Sequence, residues 1–431
     1  MYFMEKKFLF VSIEGLLCDI AWVIAKEGNQ VKVYISDENS ADIGTGFVDR
    51  INKWEDWVDW ADVIVFDDTL GQGTIAEDLR KKGKLVIGGT AYTDKLEDDR
   101  SFGQEEMKKH GISIIPYQIF TSFDQAIDFM KKNPGRYVIK SSGESHVSKS
   151  FLFIGEEEDG QDVLHMLEAY KKVFSDKVAE LQLQKRVVGV EVAIGAFFNG
   201  QKFLDPINVN FEHKKLFPGN LGPSTGEMGT SMFWSQPNKI FNATLKKLEA
   251  KLAEEHFAGY IDINCIVNGN GIYPLEFTSR FGYPTIFIQQ EGIAMPMGEF
   301  FYKMAAGEDF VIKTKKGFQM GVRIIVPPYP FDDPATFDSF SKNAVILFHK
   351  PNYDGVHFED AKMEKGEWLV AGEAGVVLTI TGSGLTMKQA QKHVYNRVSN
   401  LMIPNMYYRT DIGDRLYEDS DKLNTWGYLR E

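Results

Sequence analysis

Short apolar runs alternate with helical patterns at the start of the chain: KFLFVSI, LLCDIAWVIAKEGN, QVKVYIS, DVIVF, TIAEDLRKKG, KLVIGG. Strand and helix in strict alternation predict a parallel sheet with right-handed crossovers, whose ligands bind at the carboxyl ends of the strands. Ser12 to Gly15 and the pair Asp67 and Asp68 stand at such ends; capping of the helix that begins near Gly73 is the competing reading for the two acids. The stretch from Thr93 to Gly111 reads as one amphipathic linker helix ended by glycine. A second unit follows: ISIIPYQIF as a strand, a helix around SFDQAIDFMKKNPG, RYVIKSSGESHVSKSFLFIG, and a helix around DVLHMLEAYKKVF. LQLQKRVVGVEVAIGAFFNG reads as two strands interrupted at Val188 and Gly189.

NVNFEHKKLFPGNLGPSTGEMGTSMFW reads as a long glycine-rich loop, and long loops in compact domains are often functional. Phe211, Phe217, Met228 and Trp234 argue against disorder there. KIFNATLKKLEAKLAEEHF has the period of a single helix. GYIDINCIVNGNGIYPLEFTSR predicts a hairpin: an alternating strand, an NGNG turn and a returning strand. GIAMPMGEFFYKMAAGED is a further helix, its methionines in the core. From about Gly317 the pattern changes to short strands (FQMGVRIIVPP, AVILFHK, GVHFED, KGEWLVAG, GVVLTITG) and the helix TMKQAQKHVYNRVSNL, a small mixed or antiparallel sheet with one packed helix. The closing MYYRTDIGDRL reads as a polar tail with Arg409 and Asp411 flanking a turn.

Composition narrows the class. The 431 residues exceed one domain at a prior of about 150 residues each, and 43% hydrophobic with 25% charged content is that of a folded globular chain. A net charge of -13 opposes non-specific contact with nucleic acid, so no nucleic-acid partner is expected. No apolar run reaches the length of about 18 residues that spans a bilayer, so no membrane partner is expected either. Cys18 and Cys265 lack metal or disulfide spacing and are expected to be buried, which fits a reducing cytoplasm.

Chemistry concentrates in the hairpin. Alternation places Asp262 and Asn264 on one face of its first strand, and Glu276, Thr278 and Arg280 on one face of the second. Oxygen donors beside a guanidinium suit Mg²⁺ and the phosphates of a nucleotide triphosphate; an ordinary polar surface hairpin is the competing reading. Lys140 at a strand end, the Gly/Ser loop after it and Lys149 entering the next strand are the parts of a flexible phosphate cover, with solvated lysines as the alternative. Backbone groups at Val188 and Gly189 could read an adenine edge, with Glu191 on ribose hydroxyls. In the glycine-rich stretch, Gly219, Gly222, Gly226 and Gly229 permit backbone approach to a ligand, and His213, Lys214 and Lys215 offer positive charge.

GPSTGEMG after EHKKLF, and LEFTSRFGYP further on, resemble the DHKR, GPNTGGMG and LEFNxRFGDPE patterns of the glycinamide ribonucleotide synthetase (phosphoribosylamine glycine ligase) family of the ATP-grasp superfamily. IGGTAYTDKLEDDRSFGQEEMKKHGISIIP and YYRTDIGDR match its linker and terminal segments, so the resemblance covers nearly the whole chain. It implies an α/β and α+β multidomain protein: an N-terminal parallel α/β domain over 1–112, a central ATP-grasp domain over 113–316 and a small C-terminal mixed-sheet domain over 317–431. It implies ATP and Mg²⁺ (or Mn²⁺) as cofactors, small-molecule amine and carboxylate substrates, and a monomer or small homo-oligomer. The implied reaction is ATP-dependent amide formation through an acyl phosphate, with ADP and phosphate released. Two alternatives stand beside it: a ligase acting on a different, unphosphorylated amine, and a nucleotide-binding regulator without turnover.

Carried over position by position, the resemblance assigns Lys140, Lys149, Gln184 and Glu191 to ATP, and Glu276, Asn264 and Thr278 to the metal. Arg280 and Lys214 take the catalytic role at the phosphates. Gly15, Asp68 and His213, together with the run Ser224, Thr225, Gly226, Glu227, Met228 and Gly229, fall to the substrates. Departures are specific. The family's GxGGREHA turn is replaced by SIEGLLCDIA, which keeps only Gly15; Ser224 replaces an Asn, Glu227 a Gly and Thr278 an Asn, and DPE becomes Tyr283, Pro284 and Thr285. Loss of the glycine nest and arginine, with a carboxylate added at Glu227, points to a cationic or unphosphorylated amine.

Overall fold

The computed structural model describes residues 4–142, 151–174 and 180–430. The N-terminal strands form a four-stranded parallel sheet, ordered Gln30–Ile35, Lys7–Ser12, Val63–Phe66, Leu85–Ile87. The expected strand and helix alternation is observed, with helices Cys18–Lys26 and Gln72–Lys81 as crossovers. Neither Asp67 nor Asp68 caps the second of these. Its N-cap is Gly71, and the Gly73 amide donates instead to Asp94 Oδ2 at 2.8 Å.

The single linker helix expected from Thr93 to Gly111 is two, Ala91–Asp98 and Arg100–Lys109. Asp99 adopts an extended backbone and its side chain accepts from the Phe102 amide, so it starts a second helix where periodicity alone predicts continuation. KIFNATLKKLEAKLAEEHF is likewise broken, into Lys239–Ala243, a 3₁₀ turn Leu245–Leu248 and Glu249–Glu254. There the Thr244 hydroxyl donates to the Ile240 carbonyl at 2.6 Å, and its backbone leaves the helical region.

A small antiparallel sheet, ordered Tyr117–Phe120, Glu180–Lys185, Tyr137–Ser142, Phe153–Ile154, carries helices Phe123–Lys132 and Gln161–Phe174 on its own core of Phe120, Phe151, Leu167 and Leu183. The largest element is an eight-stranded antiparallel sheet: Gly271–Thr278, Ala258–Asn268, Val190–Asn199, Ile207–Glu212, Gly229–Ser235, Phe318–Ile325, Val376–Gly384, Val356–Phe358. The glycine-rich stretch expected as a loop therefore supplies two central strands of this sheet and a short hairpin, Lys215–Phe217 with Leu221–Ser224, between them. Gly229 (φ 154°) is needed where this stretch meets the next strand, since a Cβ there would lie 2.5 Å from the Gly321 carbonyl oxygen.

The sheet runs on past 316/317 without a break. Phe318–Ile325 pairs with Gly229–Ser235 and is followed in the same sheet by Val376–Gly384 and Val356–Phe358, while Ala361–Glu364, Glu367–Val370, Val345–Phe348 and Leu401–Met402 form a separate sheet. The closing segment is not a polar surface tail. Arg409 is fully buried, and its guanidinium donates to Asp411 (2.8 and 2.6 Å), to the Lys215 carbonyl (2.8 Å) and to Asn220 Oδ1 (3.2 Å). Cys18 and Cys265 are both free and buried. Among the described residues no helix is long and apolar enough to cross a membrane.

Candidate active site

The hairpin forms as its alternation predicts, and register decides what its face can do. Asn264 pairs directly with Glu276 and Asp262 with Thr278, with a bulge just after Asn264. Glu212, at the end of Ile207–Glu212, and Lys214 beyond it reach the same place, because residues two apart on an extended backbone share a face. Lys214 Nζ lies 3.4 Å from Glu212, 3.5 Å from Glu191 and 3.7 Å from Glu276. Asn264 Nδ2 donates to Glu212 and Glu191 at 3.3 and 3.4 Å. A second cation closes the other side, with Arg100 at 3.5 Å from Glu276.

Lys214, Glu212, Glu276 and Arg100 line a cavity of about 700 Å³ between the large sheet and the helices Ala91–Asp98 and Arg100–Lys109. Arg280 lines it too, its Nε 3.2 Å from both Asp68 and Glu97. Gly226 and Glu227 line the same cavity. From the small sheet, Lys140 donates to Gln184 Oε1 at 2.7 Å and feels the charges of Arg100, Glu276, Lys214 and Glu191. Burial, reinforced by Arg100, brings the Lys140 ammonium down to about 8.

Carboxyls here divide into two groups. Enclosure opposes ionisation of Glu276, yet Lys214, Arg100 and Lys140 outweigh it and hold its carboxyl below the ordinary range. Burial raises Glu212, with Lys214 opposing. Burial and the nearby Glu212 push Glu227 and Asp262 well above theirs. Of these carboxyls, Glu276 is held down by its cations, while burial holds Glu212, Glu227 and Asp262 up.

A divalent cation is tested by the donors present. Asn264 is 4% exposed and its Oδ1 has no hydrogen-bond partner, directly across from the Glu276 carboxylate. A buried orphan amide oxygen beside an ionised carboxylate and a threonine hydroxyl is a hard-oxygen set that suits Mg²⁺ with waters and phosphate oxygens completing its shell. Among the described residues no group of three or more His, Cys, Asp and Glu could hold a metal ion, in keeping with a set that has one carboxylate.

Other expected residues lie elsewhere. His213 does not supply positive charge or reach the cavity. It is 3% exposed on the opposite face from Lys214, beside the Gly413 amide, and burial with Arg415 and Arg409 pushes its imidazole down to about 3. Met228 is wholly buried against Leu216, Ile325 and Val376, a core residue rather than a substrate contact. Thr225 is spent on the Lys214 carbonyl, Ser224 pairs with Lys215 in the short hairpin, and Gly229 lies in the sheet. Gly15 borders a second cavity, described below. Lys149 lies outside the described residues. Glu97, Arg100, Gln104 and Glu212 line the main cavity without having been singled out from the sequence. The signal for Glu212 was its two-residue spacing from Lys214.

The model of the phosphoribosylglycinamide synthetase ATP-grasp (A) domain matches residues 98–286, a span that holds the hairpin, Lys140, Glu191 and Lys214. The chain carries an ATP-grasp domain of the phosphoribosylglycinamide synthetase family. This ligase is 26% identical over 358 residues to the phosphoribosylamine–glycine ligase of Streptococcus pneumoniae, covering 81% of this chain and 82% of that protein. It is 24% identical over 431 residues to that of Clostridium acetobutylicum, covering 94% and 99%. The crystal structure of the Thermotoga maritima phosphoribosylamine–glycine ligase shares its fold, with a TM-score of 0.69 at 21% identity, over 94% of this chain and all of that one. The ligase is an ATP-dependent enzyme of the C–N bond-forming class.

Proposed function

We propose that the ligase uses ATP to convert a carboxylate into an acyl phosphate in the main cavity and passes the acyl group to an amine, giving an amide, ADP and phosphate. The observation that carries this is the convergence of Lys140, Lys214 and Arg100 on one carboxylate, Glu276, with Arg280 on the wall of the same cavity. Cations gathered at one place compensate a triphosphate and a carboxylate brought side by side, and the enclosure keeps water from the acyl phosphate. Lys140, steadied by Gln184, grips phosphate oxygens, and Glu191 meets the ribose; the family resemblance gives Lys149 a phosphate role as well. Glu276, Asn264 and Thr278 hold Mg²⁺ or Mn²⁺, which when bound would screen phosphate charge and orient the triphosphate. Arg280 and Lys214 meet the charge that builds on the transferring phosphoryl group. No side chain is needed as a nucleophile.

The amine arrives as an ammonium and sheds a proton before it attacks. Glu227, whose carboxyl burial and the nearby Glu212 hold well above the ordinary range, lines the cavity and is the group we assign to receive it. Glu227→Gly is expected to slow both unphosphorylated and phosphorylated amines, and to raise the ratio of kcat/KM for the phosphorylated one by about tenfold, since a like charge is removed from its path. An unchanged ratio removes Glu227 from the acceptor wall.

Because only a charged Lys140 attracts phosphate, and its ammonium titrates at about 8 in the free enzyme, kcat/KM for ATP is expected to fall as pH rises through 8. Lys140→Arg, which stays charged, should remove that limb. A wild-type profile flat from pH 7 to 10 would contradict the assignment.

Relatives named for phosphoribosylamine and glycine make that pair the first to test. ADP release is measured over a grid of candidate carboxylates and amines, starting there. Nucleotide binding with no ADP release across the grid refutes the reaction. Free, buried cysteines support a reducing compartment, and the cytoplasm is the location we infer.

A further inference from the structure

A second cavity, of about 340 Å³, opens at the carboxyl ends of the first two parallel strands, beside Gly15. Its wall carries the carboxylates of Glu14, Asp37, Asp332, Glu359, Asp360 and Glu373, against a single cation, Arg323. That cation is already committed, because Nη2 donates to Glu359 at 2.9 Å and Nη1 to the Glu227 carbonyl at 3.4 Å. Arg323 is therefore the partition between this cavity and the Glu227 wall of the main one.

Two polar groups at this cavity are shielded from solvent and left without a partner among the described residues. Arg323 is 7% exposed and its Nε–H donates to nothing, and the Tyr329 hydroxyl neither donates nor accepts. Buried orphan groups lining a cavity mark the place of an absent ligand or water. The charge imbalance says which kind. Partial shielding of the Glu14 carboxyl, with Asp68 and Asp37 adding to it, holds its pKa up, and burial with Glu359 pushes Asp360 up to about 8. Carboxyls that raise one another in this way are relieved by a cation and aggravated by a phosphate. Tyr329 and the exposed ring of Phe331 add aromatic faces of the kind that attract ammonium groups.

We propose that this second cavity is the outer part of the acceptor site and takes the cationic, phosphate-free tail of the amine substrate. This inference rests on the ligase reading above. Asp68 and Arg280, which line or border the main cavity, are both within electrostatic reach of Glu14, so a tail seated here directs its reacting amine toward Arg280 and Glu227. The Tyr329 oxygen accepts from an ammonium, and the Arg323 Nε–H is free for an acceptor atom of the same molecule.

Spermidine is the test probe, titrated calorimetrically into the nucleotide-free ligase, with ribose 5-phosphate as the counter-probe. Saturable binding of spermidine is expected, weakened at least about tenfold in the double variant Glu14→Gln with Glu373→Gln. A control variant, Glu254→Gln with Glu255→Gln, removes the same charge away from this cavity and should leave the affinity unchanged. Preference for ribose 5-phosphate, or equal loss in both variants, overturns the inference. ADP release with phosphoribosylamine and glycine but no spermidine binding overturns it while the ligase reading stands. Spermidine binding without ADP release from any pair sinks the ligase reading and, with it, the assignment of the cavity to an acceptor.

Discussion

Glu276→Ala is expected to lower ADP release by about a thousandfold or more, the scale of removing a group that holds charge in place at a reacting phosphate. Its carboxylate is the one in the cluster held below the ordinary range, so it is the charge on which Lys214, Arg100 and Lys140 all converge. Without it the three cations repel one another, and Asn264 loses the ionised partner directly across the hairpin. Lys214 would remain with Glu191 and Glu212, which anchors it on the wrong side of the cavity. The Glu276 side chain is 48% exposed, so the fold should melt within a degree or two of wild type. Lys140→Ala should give a loss of similar size with a raised KM for ATP. Turnover that survives Glu276→Ala at saturating Mg²⁺ would remove this carboxylate from the centre of the account.

Arg409→Ala carries the largest expected cost in stability, about 3–5 kcal/mol by urea unfolding, the range for stripping one partner from a buried ion pair. The guanidinium is fully buried and distributes its N–H groups over Asp411, Asn220 and the Lys215 carbonyl. Asp411 in turn accepts from the Gly219 amide at 2.9 Å, so the Arg409–Asp411 pair ties the start of the short hairpin to its turn, on the segment that leads from Lys214 to Glu227. Arg409→Lys should recover little, because an ammonium cannot span the same acceptors in a plane. A loss under about 1 kcal/mol would mean that water replaces the guanidinium without strain.

Much of the site was legible in the order of residues, for a local reason. NGNG sets the turn of the hairpin, and alternation puts Asp262 and Asn264 on one face of its first strand; that Asn264 meets Glu276 and not Leu275 is due to a bulge just after Asn264, which the alternation does not announce. The parallel N-terminal sheet was legible in the same way. Failures arise where a long-range partner overrides a local pattern. INVNFE looks half polar, yet Asn208 and Asn210 are fully buried because both donate to the Tyr260 hydroxyl, and the stretch is a central strand instead of a loop. Asp99 reads as one more polar residue in a helix until its side chain is seen capping Phe102. Arg409 looked like surface because nothing nearby in sequence announces Asn220 or Lys215. Arg280 was expected to stand free for phosphate, whereas Asp68 and Glu97 flank it, and neither spacing could be read in advance.

The uninterrupted ladder between Gly229–Ser235 and Phe318–Ile325 bears on how this enzyme can be cut and recombined. A polypeptide stopped after residue 316 would present Gly229–Ser235 as a raw edge, open to pairing with any passing strand. Grafting a foreign C-terminal portion would have to reproduce that seam bond for bond, since the nucleotide half and the closing half complete each other's sheet. The catalytic half is therefore not an exchangeable cassette.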